Sequence, residues 1–252
     1  MRFRKHIYHI NIYKNMKVFS SGSCRLLVKL HNGRGKIEPI HSMFHNFVGI
    51  NFLGKLHNTK QHIQFIKWIN DKIELPEDIL SSFLTSYGLY GNSRGGMESL
   101  ELNPIKKKNI KDAFNDCQCY IVEICSMKLY ERNGFQVQHE LTDEYTHVLQ
   151  SEEDLYNDLI ILRSLIPEGK KLIIQTHFRP NIIYSNTSRM IVKRQIIYNV
   201  VNRFCNTHAN VYLYDPSIIL KDTSLFDGDT HFNDRGFEKS FQYLYENFIN
   251  PA

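Results

Sequence analysis

Four short apolar runs recur along the chain, and between them lie longer stretches whose apolar residues return at helical spacing. The runs are "KVFS" at 17–20, "CQCYIVEICSM" at 117–127, "KKLIIQTHFRP" at 170–180 and "NVYLYDPS" at 210–217. Runs that are apolar almost throughout, rather than alternating with polar residues, belong to strands buried on both faces. Between them, "CRLLVKLHN" places Leu26, Leu27 and Leu30 at helical spacing, and "KLHNTKQHIQFIKWINDKI" carries Ile63, Ile66, Trp68 and Ile69 on a helical period behind an N-cap at Asn58 or Thr59. "PEDILSSFLTSYG" starts with Pro76 in a first turn and stops at Gly88. Helices are predicted for "SEEDLYNDLIILRSLIP", with acidic residues at its positive end, for 188–208, and for the closing stretch behind a cap at Asn233 or Asp234. Alternation of this kind predicts an α/β fold, a parallel sheet with helices on both faces in three layers.

No linker or charge block divides the 252 residues, so 16–252 reads as one domain, preceded by a basic, aromatic arm at 1–15. With 42% hydrophobic and 23% charged residues, the chain can bury a core without staples. Lys and Arg total 31 against 26 acidic residues, a net charge of +5 scattered outside Arg2–Lys5 and Lys106–Lys108. That lacks the dense basic stripe of a nucleic-acid protein and reads as a solvated face. No run reaches the roughly 18 apolar residues of a membrane span. Five cysteines, an odd number, without a secretory segment predict reduced thiols in a cytoplasmic setting. Cys117-x-Cys119 lacks zinc spacing, so no metal is expected.

In parallel sheets ligands sit at the carboxyl ends of the strands. That rule selects Ser20 to Arg25, Cys125 to Lys128, Thr176 to Arg179 and Asp227 to His231 as residues able to share a site. In the first turn, Gly22 permits a sharp bend, and a nucleophile at Ser23 or Cys24 would gain from the free N–H groups of a following helix, which lower a thiol pKa and hold an oxyanion. The alternative is a plain helix start in which Ser23 caps and Cys24 packs. In "LFDGDTHFNDRGF", His231 is a candidate general base with Asp227 or Asp229 to orient it. Leu89 to Lys108 is polar and Gly-rich and reads as a long irregular loop. Glu123, inside an apolar strand, must be paired, with a cation such as Arg25 as one choice, or functional.

At Gly22-Ser23-Cys24 and Asp227-Gly-Asp-Thr-His231 the chain resembles the SGNH/GDSL superfamily of esterases and acyltransferases, in order and spacing from about residue 16 to 250. It is similar in particular to Gly-Ser-Cys variants among polysaccharide-biosynthesis proteins, some considered acetyltransferases, and "GKLHNTKQHIQFI" resembles the segment that follows in those relatives. The resemblance implies a flavodoxin-like three-layer fold and metal-free acyl transfer to or from a sugar. It sets Cys24 on the nucleophile position and Ser23 on that of the family aspartate. The family aspartate before the histidine falls on Gly228, so Asp229, or else Asp227, must stand in. For the oxyanion hole the resemblance implies Gly91 and Asn92, with Ser126 and Lys128 where the family has Gly-x-Asn-Asp. Arg25, Arg94, His177 and Arg179 are candidate substrate or phosphate contacts, and acetyl-CoA is the expected donor for transfer to a sugar, nucleotide sugar or glycan. A carbohydrate esterase, a glycan- or nucleotide-binding module without catalysis, and another sugar-modifying transferase are the alternatives.

Overall fold

The computed structural model describes residues 17–23, 47–48, 56–80, 104–137, 145–179, 188–219, 221–227 and 231–251. Each apolar run of the sequence is a strand. β1 (Val18–Ser21), β2 (Phe47–Val48), β3 (Cys119–Ile124), β7 (Lys171–Thr176) and β8 (Val211–Tyr214) form a wholly parallel sheet in the order β2-β1-β3-β7-β8. Counted along the chain, these five strands stand 2-1-3-4-5, so the winding direction reverses between β1 and β3.

Side chains alternate across a strand, and the two resulting sets enter different cores. Phe19, Tyr120, Val122, Ile124, Leu172 and Ile174 face α1 (Thr59–Ile69), α3 (Glu152–Leu165) and α4 (Ser188–Cys205) in the larger cluster. Val18, Cys119, Ile121 and Ile173 meet Leu244 and Ile249, at the end of α5 (Asp234–Leu244) and in the π-turn that follows it. The chain is therefore mixed α/β, with helical segments against both faces of its parallel sheet.

Capping follows the sequence. Asn58 accepts from the Gln61 N–H at the start of α1, Asn233 from the Gly236 N–H at the start of α5, and Ser151 forms a reciprocal box with Asp154 ahead of α3. The reading of Leu89 to Lys108 as loop needs correction at its end. Residues 81–103 lie outside the described residues, but Pro104 opens the helix α2 (Pro104–Asp116). Proline costs nothing in a first turn, and lysines are good helix formers. Lys107 and Lys111 both pair with Asp71 just past α1, at 2.8 and 2.5 Å, and Lys107 also covers the Trp68 ring. Lys107 and Lys111 thus dock α2 against the end of α1, while Lys108 pairs with Asp112 within α2. The helix expected over 24–32 lies outside the described residues.

The edge strand β2 was not anticipated, and neither were two further elements. β4 (Lys128–Arg132), β5 (Phe135–Gln136) and β6 (Thr146–Leu149) form a small antiparallel sheet in the order β5-β4-β6. α1 is stitched to it by side chains that act as backbone partners. Gln64 donates to the Gln136 carbonyl and accepts from the Gln136 N–H at 3.0 and 2.8 Å, Gln61 donates to the Val137 carbonyl, and Asn58 donates to the Lys128 carbonyl. These bonds explain why polar Gln61 and Gln64 are buried on a helix whose other side meets the parallel sheet. The second is a hairpin, β9 (Phe226–Asp227) with β10 (His231–Phe232), which leads into α5.

Candidate active site

The carboxyl end of β1 turns at Gly22 and Ser23, beside the end of β3 and at the reversal of winding. Four bonds fix three successive residues there. The Ser21 hydroxyl lies 2.9 Å from His62 Nδ1 on α1. The Gly22 carbonyl accepts from the Leu56 N–H at 3.0 Å. The Ser23 N–H and hydroxyl both donate to Oε2 of Glu123, at 2.9 and 2.6 Å.

Elementary donor chemistry assigns the histidine. Its Nε2 is 2.9 Å from the Glu123 carbonyl oxygen, which can only accept, so Nε2 carries the hydrogen. Burial pushes the His62 pKa down to about 4, against a smaller opposing effect of that bond, so the ring is neutral and Nδ1 accepts from Ser21. A hydroxyl donating to a bare imidazole nitrogen is the arrangement of a base-activated nucleophile. Ser21 and His62 are only 2% and 0% exposed, however, and the pair ties β1 to β3 in the interior. Next to it, the His57 carbonyl accepts from the N–H groups of Cys125 and Ser126 at 3.0 and 2.9 Å.

His231 belongs to the hairpin, and the register sets Asp227 opposite His231 and Phe226 opposite Phe232. The hairpin is anchored by rings at the end of β7. Phe178, two residues past that strand, lies 4.6 Å from Phe226 and 5.0 Å from Phe232 between ring centroids. Leu225 completes the cluster, and its carbonyl accepts from the Asn233 N–H.

The remaining predicted residues divide clearly. The Ser126 N–H is engaged by His57, and its hydroxyl oxygen accepts from the Lys128 N–H at 3.0 Å. His177 is buried at the end of β7, with Nδ1 donating to the Phe178 carbonyl at 3.0 Å. The Arg179 guanidinium is ion-paired with buried Asp215, bonded to Gln195 and stacked 3.8 Å from the Tyr198 ring centroid. It braces the ends of β7 and β8 against α4. Cys24, Arg25, Gly91, Asn92, Arg94 and Asp229 lie outside the described residues.

Ser21 fell within the selected stretch Ser20 to Arg25, but His62 was missed by sequence reading, although a polar residue inside an otherwise buried helix is the signal that could have found it. The free thiols Cys117, Cys119 and Cys205 are pushed up to about 12 chiefly by burial, which makes them inert packing groups. Cys117 and Cys119 also enter the two different cores. Among the described residues no group of three or more His, Cys, Asp or Glu could hold a metal ion, and no helix is long and apolar enough to cross a membrane. Comparison of the chain with models of known families finds no match, and comparison with curated proteins finds none either.

Proposed function

We propose that the chain is an acyltransferase, or an esterase using the same chemistry, that acts on a carbohydrate through Cys24, His231 and Asp227 on a flavodoxin-like, SGNH-type three-layer fold. One observation carries the reading. The turn that leads into Cys24 stands at the carboxyl end of β1 where the winding reverses, and the hairpin bearing His231 packs at the carboxyl end of β7 on the same edge of the sheet. Ligands of doubly wound sheets bind at such a reversal. β1 and β7 are two strand spacings apart, roughly 10 Å, which leaves room for a substrate group between the two pieces.

The bonds around the turn favour Cys24 over Ser23 as nucleophile. Ser23 is fully buried, with both its N–H and its hydroxyl given to Glu123. A thiol is also the stronger nucleophile near neutral pH. In the mechanism we propose, the sulfur of Cys24 attacks the acyl carbonyl while His231 takes the thiol proton. The oxyanion is held by N–H groups from Cys24 onward, because that of Ser23 is engaged. The leaving group departs with a proton from His231, which then deprotonates a sugar hydroxyl, or water in the esterase, so that it attacks the thioester and restores Cys24.

Asp227 is favoured over Asp229 as the orienting carboxylate because the hairpin register pairs it with His231. With Arg179 engaged by Asp215, Arg94 is the better candidate for a phosphate of acetyl-CoA or of a nucleotide sugar. The free thiols fit a reducing, cytoplasmic compartment.

The test is turnover of p-nitrophenyl acetate, and acetyl transfer from acetyl-CoA to nucleotide sugars, by the wild type and by Cys24→Ala, Ser23→Ala and His231→Ala. Loss in the first and third, with turnover kept at about a tenth in Ser23→Ala, is the expected outcome. Equal activity in all four proteins contradicts it. A melting shift with nucleotide sugars but no turnover would instead indicate a binding module.

A further inference from the structure

We infer that Glu123 is a positioning residue of this site, whose buried carboxylate fixes the turn just ahead of Cys24 in sequence; the assignment rests on the acyl-transfer reading above. β3 is apolar at every other position from Cys119 to Ile124, and Glu123 is 0% exposed within it. A carboxylate is costly to bury and is kept only where hydrogen bonds to it compensate. Among the described residues, bonds to it come from the backbone N–H and the hydroxyl of Ser23, the immediate neighbour of Cys24 in sequence.

The same residue holds the turn a second way. Its carbonyl accepts from His62 Nε2, and His62 Nδ1 accepts from Ser21, so side chain and main chain of Glu123 grip the turn on either side of Gly22. The Gly22 carbonyl, bonded to the Leu56 N–H, closes the set. Closing a turn after a strand needs no such arrangement. What it adds is a fixed direction for the Gly22–Ser23 peptide plane, just ahead of Cys24 in sequence, the kind of constraint that nucleophile alignment requires.

Glu123→Gln keeps an oxygen able to accept from both Ser23 donors, whereas Glu123→Ala removes it. Two readouts on the full chain separate the latch from the chemistry. In amide hydrogen exchange followed by mass spectrometry, peptides covering 20–24 are expected to exchange much faster in Glu123→Ala than in the wild type or Glu123→Gln, with β7 and β8 unchanged. In p-nitrophenyl acetate turnover, kcat is expected to fall about 100-fold in Glu123→Ala with KM within about threefold, and to recover to within about tenfold of the wild type in Glu123→Gln. Should Glu123→Ala not fold, Ser23→Ala, which loses the hydroxyl bond and keeps the N–H bond, is expected to speed exchange at 20–24 and to lower kcat about tenfold with KM unchanged.

Equal impairment in the Gln and Ala variants, or a rise in KM at constant kcat, overturns the positioning role. So does fast exchange of the turn with unaltered turnover. Absence of turnover in the wild type overturns the acyl-transfer reading and this assignment with it, while the exchange data still decide whether Glu123 holds the turn.

Discussion

The turn after β1 and the hairpin that carries His231 are fastened by opposite means. The turn is gripped by short, directional bonds among buried polar groups, from Ser21 to His62, from His62 to the Glu123 carbonyl and from Ser23 to the Glu123 carboxylate. The hairpin is held by rings, Phe178 against Phe226 and Phe232, and by the cap at Asn233 that joins it to α5. Polar bonds fix atoms in direction as well as distance, and fail sharply when a partner is lost. Ring packing is strong but tolerant of small rotations. The difference suits the proposed site, in which the nucleophile must be aligned while the base accepts and returns a proton.

Breaking the aromatic side carries the largest expected effect. Phe178→Ala removes a fully buried ring at the junction of β7 and the hairpin, and should cost about 3–5 kcal/mol in urea unfolding. Exchange at 20–24 should stay slow under native conditions even as turnover falls. Loosening of both regions together would mean that they are not independently fastened.

A pH series probes the polar side. The His62 pKa lies at about 4 in the folded chain, below its ordinary 6.5, so between these values the unfolded chain binds more protons. Stability should therefore be constant from this group above about pH 6.5, fall as pH drops toward about 4, and level off below. The loss is on the order of 3 kcal/mol over that window. His62→Gln should flatten that part of the profile, and an unchanged profile would remove His62 as the origin.

The smallest effect sharpens the comparison at the hairpin's other end. A Cβ on Gly236 would sit 2.1 Å from the Leu225 carbonyl oxygen, the same oxygen that accepts from Asn233. Gly236→Ala should cost about 1–3 kcal/mol, displace the hairpin relative to α5, and lower turnover without altering exchange at 20–24.

Much of the frame was legible in the sequence because it rests on local signals. β-branched apolar runs marked β3 and β7, and Asn58 and Asn233 stood where caps belong. The antiparallel sheet was not legible. "KLYER" and "THVL" lack a clean alternation, and β6 is exposed along its whole length, so nothing local distinguishes it from loop. Its attachment depends on Gln61 and Gln64, whose backbone-like bonds leave no periodic trace.

At the site, strand order brought the β1 turn and the His231 stretch to one edge, as expected from the carboxyl-end rule. Glu123 was flagged as needing a partner, but Ser23 is a hundred residues away in sequence, and only the pairing of β1 with β3 puts the two together. Spacing alone left Asp227 and Asp229 open as partners of His231. The hairpin register pairs Asp227 with His231.

The claim that Cys24 is the nucleophile is tested most directly by trapping the acyl-enzyme. Wild-type protein quenched during p-nitrophenyl acetate turnover and digested should carry one acetyl group on the peptide containing Cys24, released by neutral hydroxylamine as a thioester is, and missing from Cys24→Ala. A hydroxylamine-resistant acetyl on Ser23, or turnover with no acetyl on the 20–25 peptide, would contradict the account.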